Sequence, residues 1–489
     1  MAHRELALST KFSHGAGSIA NGAMVYTRSL LLLFYSQVVG LEPWLVSLAL
    51  GASMALDAAW DPMIGHVSDR TRSRWGRRHP YMLAGALPAT LLFVGIWNPP
   101  LGWSEQATFA WFAATVILAN FAYSFFQVPA DALTPELAPG YHQRTNLVAW
   151  RWVMGTSGAL ITAVMGLGYF LAPREGEVGQ LVRVGYSQLS FAVAGMILTA
   201  MLINVFGTRQ HIATLHVPEP STGTARASIR EAMQTLNNLN MIVAITAGAL
   251  AGIGFGIRTV LEAFIATYIW NLPASAFLAI TVAGLASAPI GAVIGARMSR
   301  RMGKKRACMT LFFIGTVLVN LPLLLRLLGL FFPNGSPLLL PALTGFALVA
   351  GVLNYGGFIL VSSMIADIVE DAQAKTGRRS EGLITAADQF IQKIITAAGT
   401  VLGGALLTWI SFPRQAKPGE VPAETLQTLG WSFFLLASLL SFLSIATWRF
   451  YRIGQADHET RLDLLDIPNP AIAEAPGAPP TVAPVARPA

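Results

Sequence analysis

Twelve long apolar stretches, each of about twenty residues or more, dominate this chain and leave few ways for it to fold. They run approximately over 12–39, 43–67, 81–97, 107–130, 147–171, 188–207, 241–269, 274–297, 308–330, 337–365, 382–410 and 429–450. A hydrocarbon layer ~30 Å thick needs roughly 20 residues of helix at ~1.5 Å rise per residue, which is the length repeated here. Only 12% of residues are charged and 54% are hydrophobic, so there is too little polar surface to clothe a water-soluble domain of 489 residues. Segments such as "LITAVMGLGYFLA" and "FFLLASLLSFLSIA" are continuously apolar rather than alternating, which favours helices over a β-barrel. The expected fold class is an all-α integral membrane protein with twelve transmembrane helices. A single cysteine, Cys308, allows no internal disulfide, and His14, His66 and His79 are too scattered for a metal site.

The net charge of +8 is spread over short loops rather than gathered on one polar module, so no nucleic-acid partner is expected. The connections after spans 2 and 8 carry Arg70, Arg72, Arg74, Arg77, Arg78 and Arg300, Arg301, Lys304, Lys305, Arg306, whereas those after spans 1, 3 and 7 carry no Lys or Arg. By the positive-inside rule, both termini are expected in the cytoplasm, in a multi-pass protein of the cell (inner) membrane. The N-terminus "MAHRELALSTKFSHGAG" has no short apolar core with a cleavage site, so no signal peptide is expected. With no "GxxxxGK" loop, no nucleotide is expected, and with neither "HExxH" nor a nucleophile–base pairing the chain does not read as an enzyme. The expected partners are a small-molecule solute and membrane lipids, with the protein a monomer.

Residues 208–240 form the longest polar interruption and divide the spans six and six. The expected organisation is an N-terminal half over 1–207, a cytoplasmic linker over 208–240, a C-terminal half over 241–453 and a disordered Pro/Ala-rich cytoplasmic tail over 454–489. The halves look related, because "GHVSDRTRSRWGRR" from Gly65 is echoed by "GARMSRRMGKKR" from Gly295, an offset of 230 residues. The same offset pairs Pro43 with Pro273 and Arg28 with Arg258. Parallel six-helix repeats are the architecture of the major facilitator fold, whose solute site lies near the midplane between halves.

Charges inside the spans are the candidate functional residues. Asp57 and Asp61 lie four apart and so share one helix face. An ionised carboxylate at the bilayer centre costs ~3 kcal/mol and two repel each other, so a positive species must compensate. Na⁺, a shared proton, or an arginine such as Arg28 or Arg151 would serve. Asp69, with Arg77 and Arg78 beyond it, can form a cytoplasmic latch that closes in one conformation and releases in another, although anchoring topology would by itself explain the arginines. The second copy has Ser299 where Asp69 stands, so such a latch is asymmetric. Arg28 and Arg258 would flank the central cavity and suit an anionic group, or else pair with Asp57 and Glu262. Asp131 could be a third cation ligand or the helix-end partner of Arg144. Tyr26, Trp60, Tyr123, Trp150, Tyr268 and Tyr355 can stack on a solute ring or serve only in packing.

The stretch "DAAWDPMIGHVSDRTRSRWGRRHPYML" resembles the second span and following loop of the glycoside-pentoside-hexuronide:cation symporters of the major facilitator superfamily. "ALTPELAPGYHQRT", "SMIADIVEDAQAKTGRRSEG" and "DQFIQKIITAAGT" extend the resemblance over most of the chain. It implies that Asp57 and Asp61 coordinate the coupling cation and that Lys393 of span 11 lies near the cation and solute sites. Family members that carry galactosides hold sugar hydroxyls with aspartates in spans 1 and 4. Here the matching positions are Asn21 and Gln127, neutral amides that can still bond a hydroxyl, so the galactoside preference does not carry over. The expected function is symport of Na⁺ or H⁺ with a small polar solute, a sugar, glycoside or uronide, by alternating access. Asn21, Arg28, Gln127, Arg151, Arg258 and Lys393 are the expected solute-binding residues, and no cofactor is expected beyond the coupling ion. The alternative is transport of an amphipathic anion such as a lysolipid or steroid acid.

Overall fold

The computed structural model describes residues 6–138, 141–173, 178–214, 239–376 and 381–452. Among these residues there is no strand, and twelve long helices follow one another: α1 (Leu8–Leu33), α2 (Pro43–Arg70), α3 (His79–Trp97), α4 (Glu105–Leu137), α5 (Tyr141–Met165), α6 (Arg183–Thr208), α7 (Leu239–Phe264), α8 (Ala274–Met302), α9 (Lys304–Leu327), α10 (Leu339–Thr376), α11 (Glu381–Trp409) and α12 (Ala423–Thr447). The middle of the expected linker, 215–238, and the expected tail lie outside the described residues.

Ten of the twelve are long and apolar enough to cross a membrane. The exceptions, α1 and α2, carry Lys11, Asn21 and Arg28, and Asp57, Asp61 and Asp69; their polar residues, not their length, set them apart. α4 and α10 run on to Leu137 and Thr376, well past the apolar stretches that predicted them, and carry acidic residues out to the arginine-loop end of the bundle.

The internal repeat is visible in the backbone. α1 ends in a π-turn over Phe34–Val39 and α7 in one over Ile265–Ile269, and Pro43 and Pro273 stand at the starts of the helices that follow. The tightest seams also correspond. In the α1–α5 seam, a Cβ added to Gly22 would lie 1.9 Å from the Gly155 carbonyl oxygen. In the α7–α11 seam, a Cβ on Gly256 would lie 2.4 Å from the Thr396 carbonyl oxygen. Only glycine permits backbones this close, and small residues are the usual means by which helices pack in lipid, where apolar attraction between them is lacking.

The halves meet chiefly where α2 packs along α11, with smaller contacts of α1 on α7 and α5 on α8. At the end of the bundle opposite the arginine loops, polar bonds tie them together. Gln37 accepts from the Tyr268 hydroxyl (3.0 Å) and the Ala416 amide (3.1 Å) and donates to the Pro413 carbonyl (3.3 Å). Arg414 reaches Glu105 at 3.0 Å, Glu42 at 3.5 Å and the Gly40 carbonyl at 3.2 Å. The Trp44 amide donates to Thr408, and Gln180 donates to the Leu272 carbonyl.

Candidate functional site

Halfway along α2, Asp57 and Asp61 project toward α11, and Lys393 of the other half answers them. Its Nζ lies 2.7 Å from Asp57 Oδ2 and also pairs with Asp61 Oδ2. Asp57 Oδ1 accepts two further bonds, from the Ser124 hydroxyl of α4 (2.6 Å) and from Trp60 Nε1 (3.2 Å). Asp61 Oδ1, by contrast, is buried and has no partner. Two carboxylates and one ammonium leave this trio with a net charge of −1. The three side chains remain 21%, 25% and 36% exposed, so the trio is not sealed within the packed core.

The expected arginine partners are corrected here. Arg28 bonds Asn120 Oδ1 at 3.3 Å, and Asn120 in turn donates to Ser53 at 2.9 Å, so that guanidinium is held on α4 rather than on the aspartates. Arg151 pairs with Asp131 and donates to Thr134 (2.9 Å) and Ser18 (3.3 Å). Asp131 therefore takes Arg151, not Arg144, because α5 passes α4 with Arg151 at its level. Arg258 does not pair with Glu262; its guanidinium stands 5.6 Å from the centre of the Phe433 ring. Among the described residues neither Arg28 nor Arg258 forms an ion pair with a carboxylate.

Asn21, Gln127 and Arg151 do come together. They line a narrow cleft in the N-terminal half with His14, Tyr123, Asp131 and Asn204. Lys393, Arg28 and Arg258 are not part of this cleft.

At the arginine-loop end, Arg78 is buried and lies 3.2 Å from Asp69 and 2.5 Å from Glu136. Arg77 pairs with Glu136 and not with Asp69. Glu136 is the residue that reading the sequence missed. Two arginines and one acid within a short loop already implied a second carboxylate, and the long α4 supplies it. In the second half Lys304 pairs with Asp367 at 2.7 Å, and Ser299 has no such bond. The expected motif around residues 369–389 has side chains outside those described.

A sequence model described as "MFS/sugar transport protein" matches residues 13–455. An uncharacterized symporter, sll1374, of Synechocystis sp. is 33% identical over 196 residues, 37% of this chain and 35% of that one. The inner membrane symporter YicJ of Escherichia coli is 25% identical over 421 residues, 83% of this chain and 82% of that one. Among solved structures, the partially occluded inward-open xylose transporter XylE of E. coli superposes with a TM-score of 0.59 at 13% identity, covering 91% of this chain and 99% of that one. That likeness establishes the fold.

Proposed function

Because the chain belongs to the MFS/sugar transport protein family, whose members are multi-pass membrane transporters rather than enzymes, we propose that it is a symporter coupling a monovalent cation, Na⁺ or H⁺, to a sugar-like solute. The observation that carries this reading is the Asp57–Lys393–Asp61 trio. A single added positive charge neutralises it, and the unpartnered Asp61 Oδ1 is an oxygen ready to receive one. Because the acids belong to one half and the lysine to the other, a cation that displaces the ammonium also severs a bond between the halves. Binding thereby changes the relative stability of the two conformations, which is the thermodynamic requirement for coupling.

The polar ties opposite the arginine loops act as a closed outer gate. With those loops cytoplasmic, this is an inward-facing state. Asp69 with Arg78 forms the latch of that side, and Arg77 joins it through Glu136. A second reading, an anionic solute held by Arg28 and Arg258, draws on neither guanidinium forming an ion pair with a carboxylate among the described residues.

The test is uptake into proteoliposomes under an imposed Na⁺ or pH gradient. Asp61→Asn should abolish gradient-driven accumulation while solute exchange persists, and Asp57→Asn should raise the cation concentration needed for half-maximal uptake. Full accumulation by both variants would remove the assignment.

A further inference from the structure

At the mouth opposite the arginine loops, the connection from α11 to α12, residues 410–422, does not stand clear of the bundle. It lies across the π-turns that end α1 and α7. Phe412 and Ala416 are buried, and the Phe412 ring packs edge-on against Tyr268 (5.0 Å between centres) and Phe264 (5.5 Å). Gln37, 4% exposed, holds the backbone of this connection from the other half. Its Oε1 accepts from the Ala416 amide while Nε2 donates to the Pro413 carbonyl, so one side-chain amide pairs with the segment as a neighbouring strand would. The Tyr268 hydroxyl closes the set, 2.8 Å from the Ala416 carbonyl and 3.0 Å from Gln37 Oε1. The remaining donor of Gln37 goes to Ser36 Oγ at 3.3 Å, which satisfies the whole amide.

Within the same connection, Ser411 and Gln415 have φ of 51° and 53°, in the left-handed region that side chains rarely adopt. Such backbone persists where its surroundings over-determine it, and it recurs in segments that switch. Gln37 and Tyr268 supply that constraint together with Arg414, which is anchored on Glu105, Glu42 and the Gly40 carbonyl. The repeat treats the equivalent place differently. At the offset of 230 from Gln37 stands Thr267, whose buried Oγ1 has no partner among the described residues. The equivalent connection, from α5 to α6, reaches the end of α7 through a single described bond of this kind, from Gln180 to the Leu272 carbonyl at 3.4 Å.

We propose that residues 410–422 are a strap that lifts off the end of α1 as one piece before this mouth can open, and that Gln37 is the positioning residue that sets how often it does. The proposal deepens the transport reading above and rests on it for the two conformations. Gln37 belongs to one half and Ala416 and Pro413 to the other, so the halves cannot part here while these bonds stand. Lifting loses them and at the same moment frees the backbone at Ser411 and Gln415. The two contributions oppose each other, and the loss of one bond is then enough to move the population.

Electron–electron distance measurements on the full-length protein in lipid nanodiscs, without solute, test this. In a Cys308→Ala background, one pair of spin labels joins the α3–α4 loop to the strap (Leu101→Cys, Lys417→Cys), and a second joins the two arginine loops (Arg74→Cys, Arg306→Cys); all four positions are exposed. Gln37→Ala should raise the population of the longer 101–417 distance about tenfold, and the 74–306 distance should shorten in the same fraction of molecules. Tyr268→Phe keeps the ring on Phe412 and removes its hydroxyl; it should shift both pairs the same way by a smaller factor, and it serves if Gln37→Ala misfolds. Gln180→Ala should shift neither pair by more than about twofold. Unchanged distances in both Gln37→Ala and Tyr268→Phe, or an equal response to Gln180→Ala, would overturn the proposal. So would a longer strap distance with no change between the arginine loops, which is the mark of a local plug. Matched shifts at both ends without cation-driven accumulation in proteoliposomes would leave it standing and remove the symport reading instead.

Discussion

The two corners at the arginine-loop end occupy equivalent places in the repeat and are built differently. In the first half, Arg77 and Arg78 converge on Glu136, with all three side chains at most 10% exposed, and the half-exposed Asp69 joins Arg78 from α2. In the second, Lys304, 34% exposed, meets Asp367, and serine stands where the other half has Asp69. Both corners tie the start of one helix to the far end of a long neighbour. The first links three helices through a buried network in which two guanidiniums share one carboxylate. The same backbone geometry thus carries a pair of buried arginines in one half and a partly exposed lysine in the other.

The largest expected effect falls on the carboxylate that both arginines share. Glu136→Gln removes it from two buried guanidiniums and should cost ~3–5 kcal/mol, seen as a pronounced fall in melting temperature and loss of transport. Asp367→Asn frees Lys304, which is one-third exposed and can reach water, and should cost less than Glu136→Gln in the same melts. Equal losses would break the comparison.

Gly76 sharpens it. Its φ of 76° suits glycine, and an added Cβ would lie 2.9 Å from Ile212 Cγ2. Gly76→Ala should therefore cost ~1 kcal/mol and loosen the loop from the end of α6. Asp69→Asn should move stability by only ~0.2–1 kcal/mol, because Asp69 is 51% exposed, yet shift the inward and outward populations reported by cysteine accessibility. Ser299→Asp should have the smallest effect, a slight gain in the inward-facing population if it recruits a neighbouring cation. No change in accessibility for either variant would reduce the loop arginines to topological anchors.

Much of this architecture was legible in the residues, and the limits were physical. Helix positions followed from apolar length, and the repeat from the offset that pairs Gly65 with Gly295. That Asp57 and Asp61 share a face followed from their spacing. Which cation answers them did not, because the choice among Arg28, Arg151 and Lys393 depends on how α2 meets α11, a contact more than 330 residues apart in the chain. Spacing left Arg28 and Arg258 either facing a shared cavity or paired with Asp57 and Glu262, since it reports the direction of a side chain along one helix and not what stands opposite it. The buried free atoms of His14 and Asn204 left no mark in the sequence at all.

The glycine seams have a mechanical consequence. Where the Gly22 and Gly256 backbones lie nearly in contact with α5 and α11, the helices interlock so closely that one cannot slide past its partner without collision. Each such pair is expected to move as one body, and the movement that the proposed transport requires is expected to fall on the α2–α11 and α5–α8 lines where the halves meet. Spin labels placed across α1 and α5 should keep one fixed separation through the whole cycle, while labels across α5 and α8 should record two.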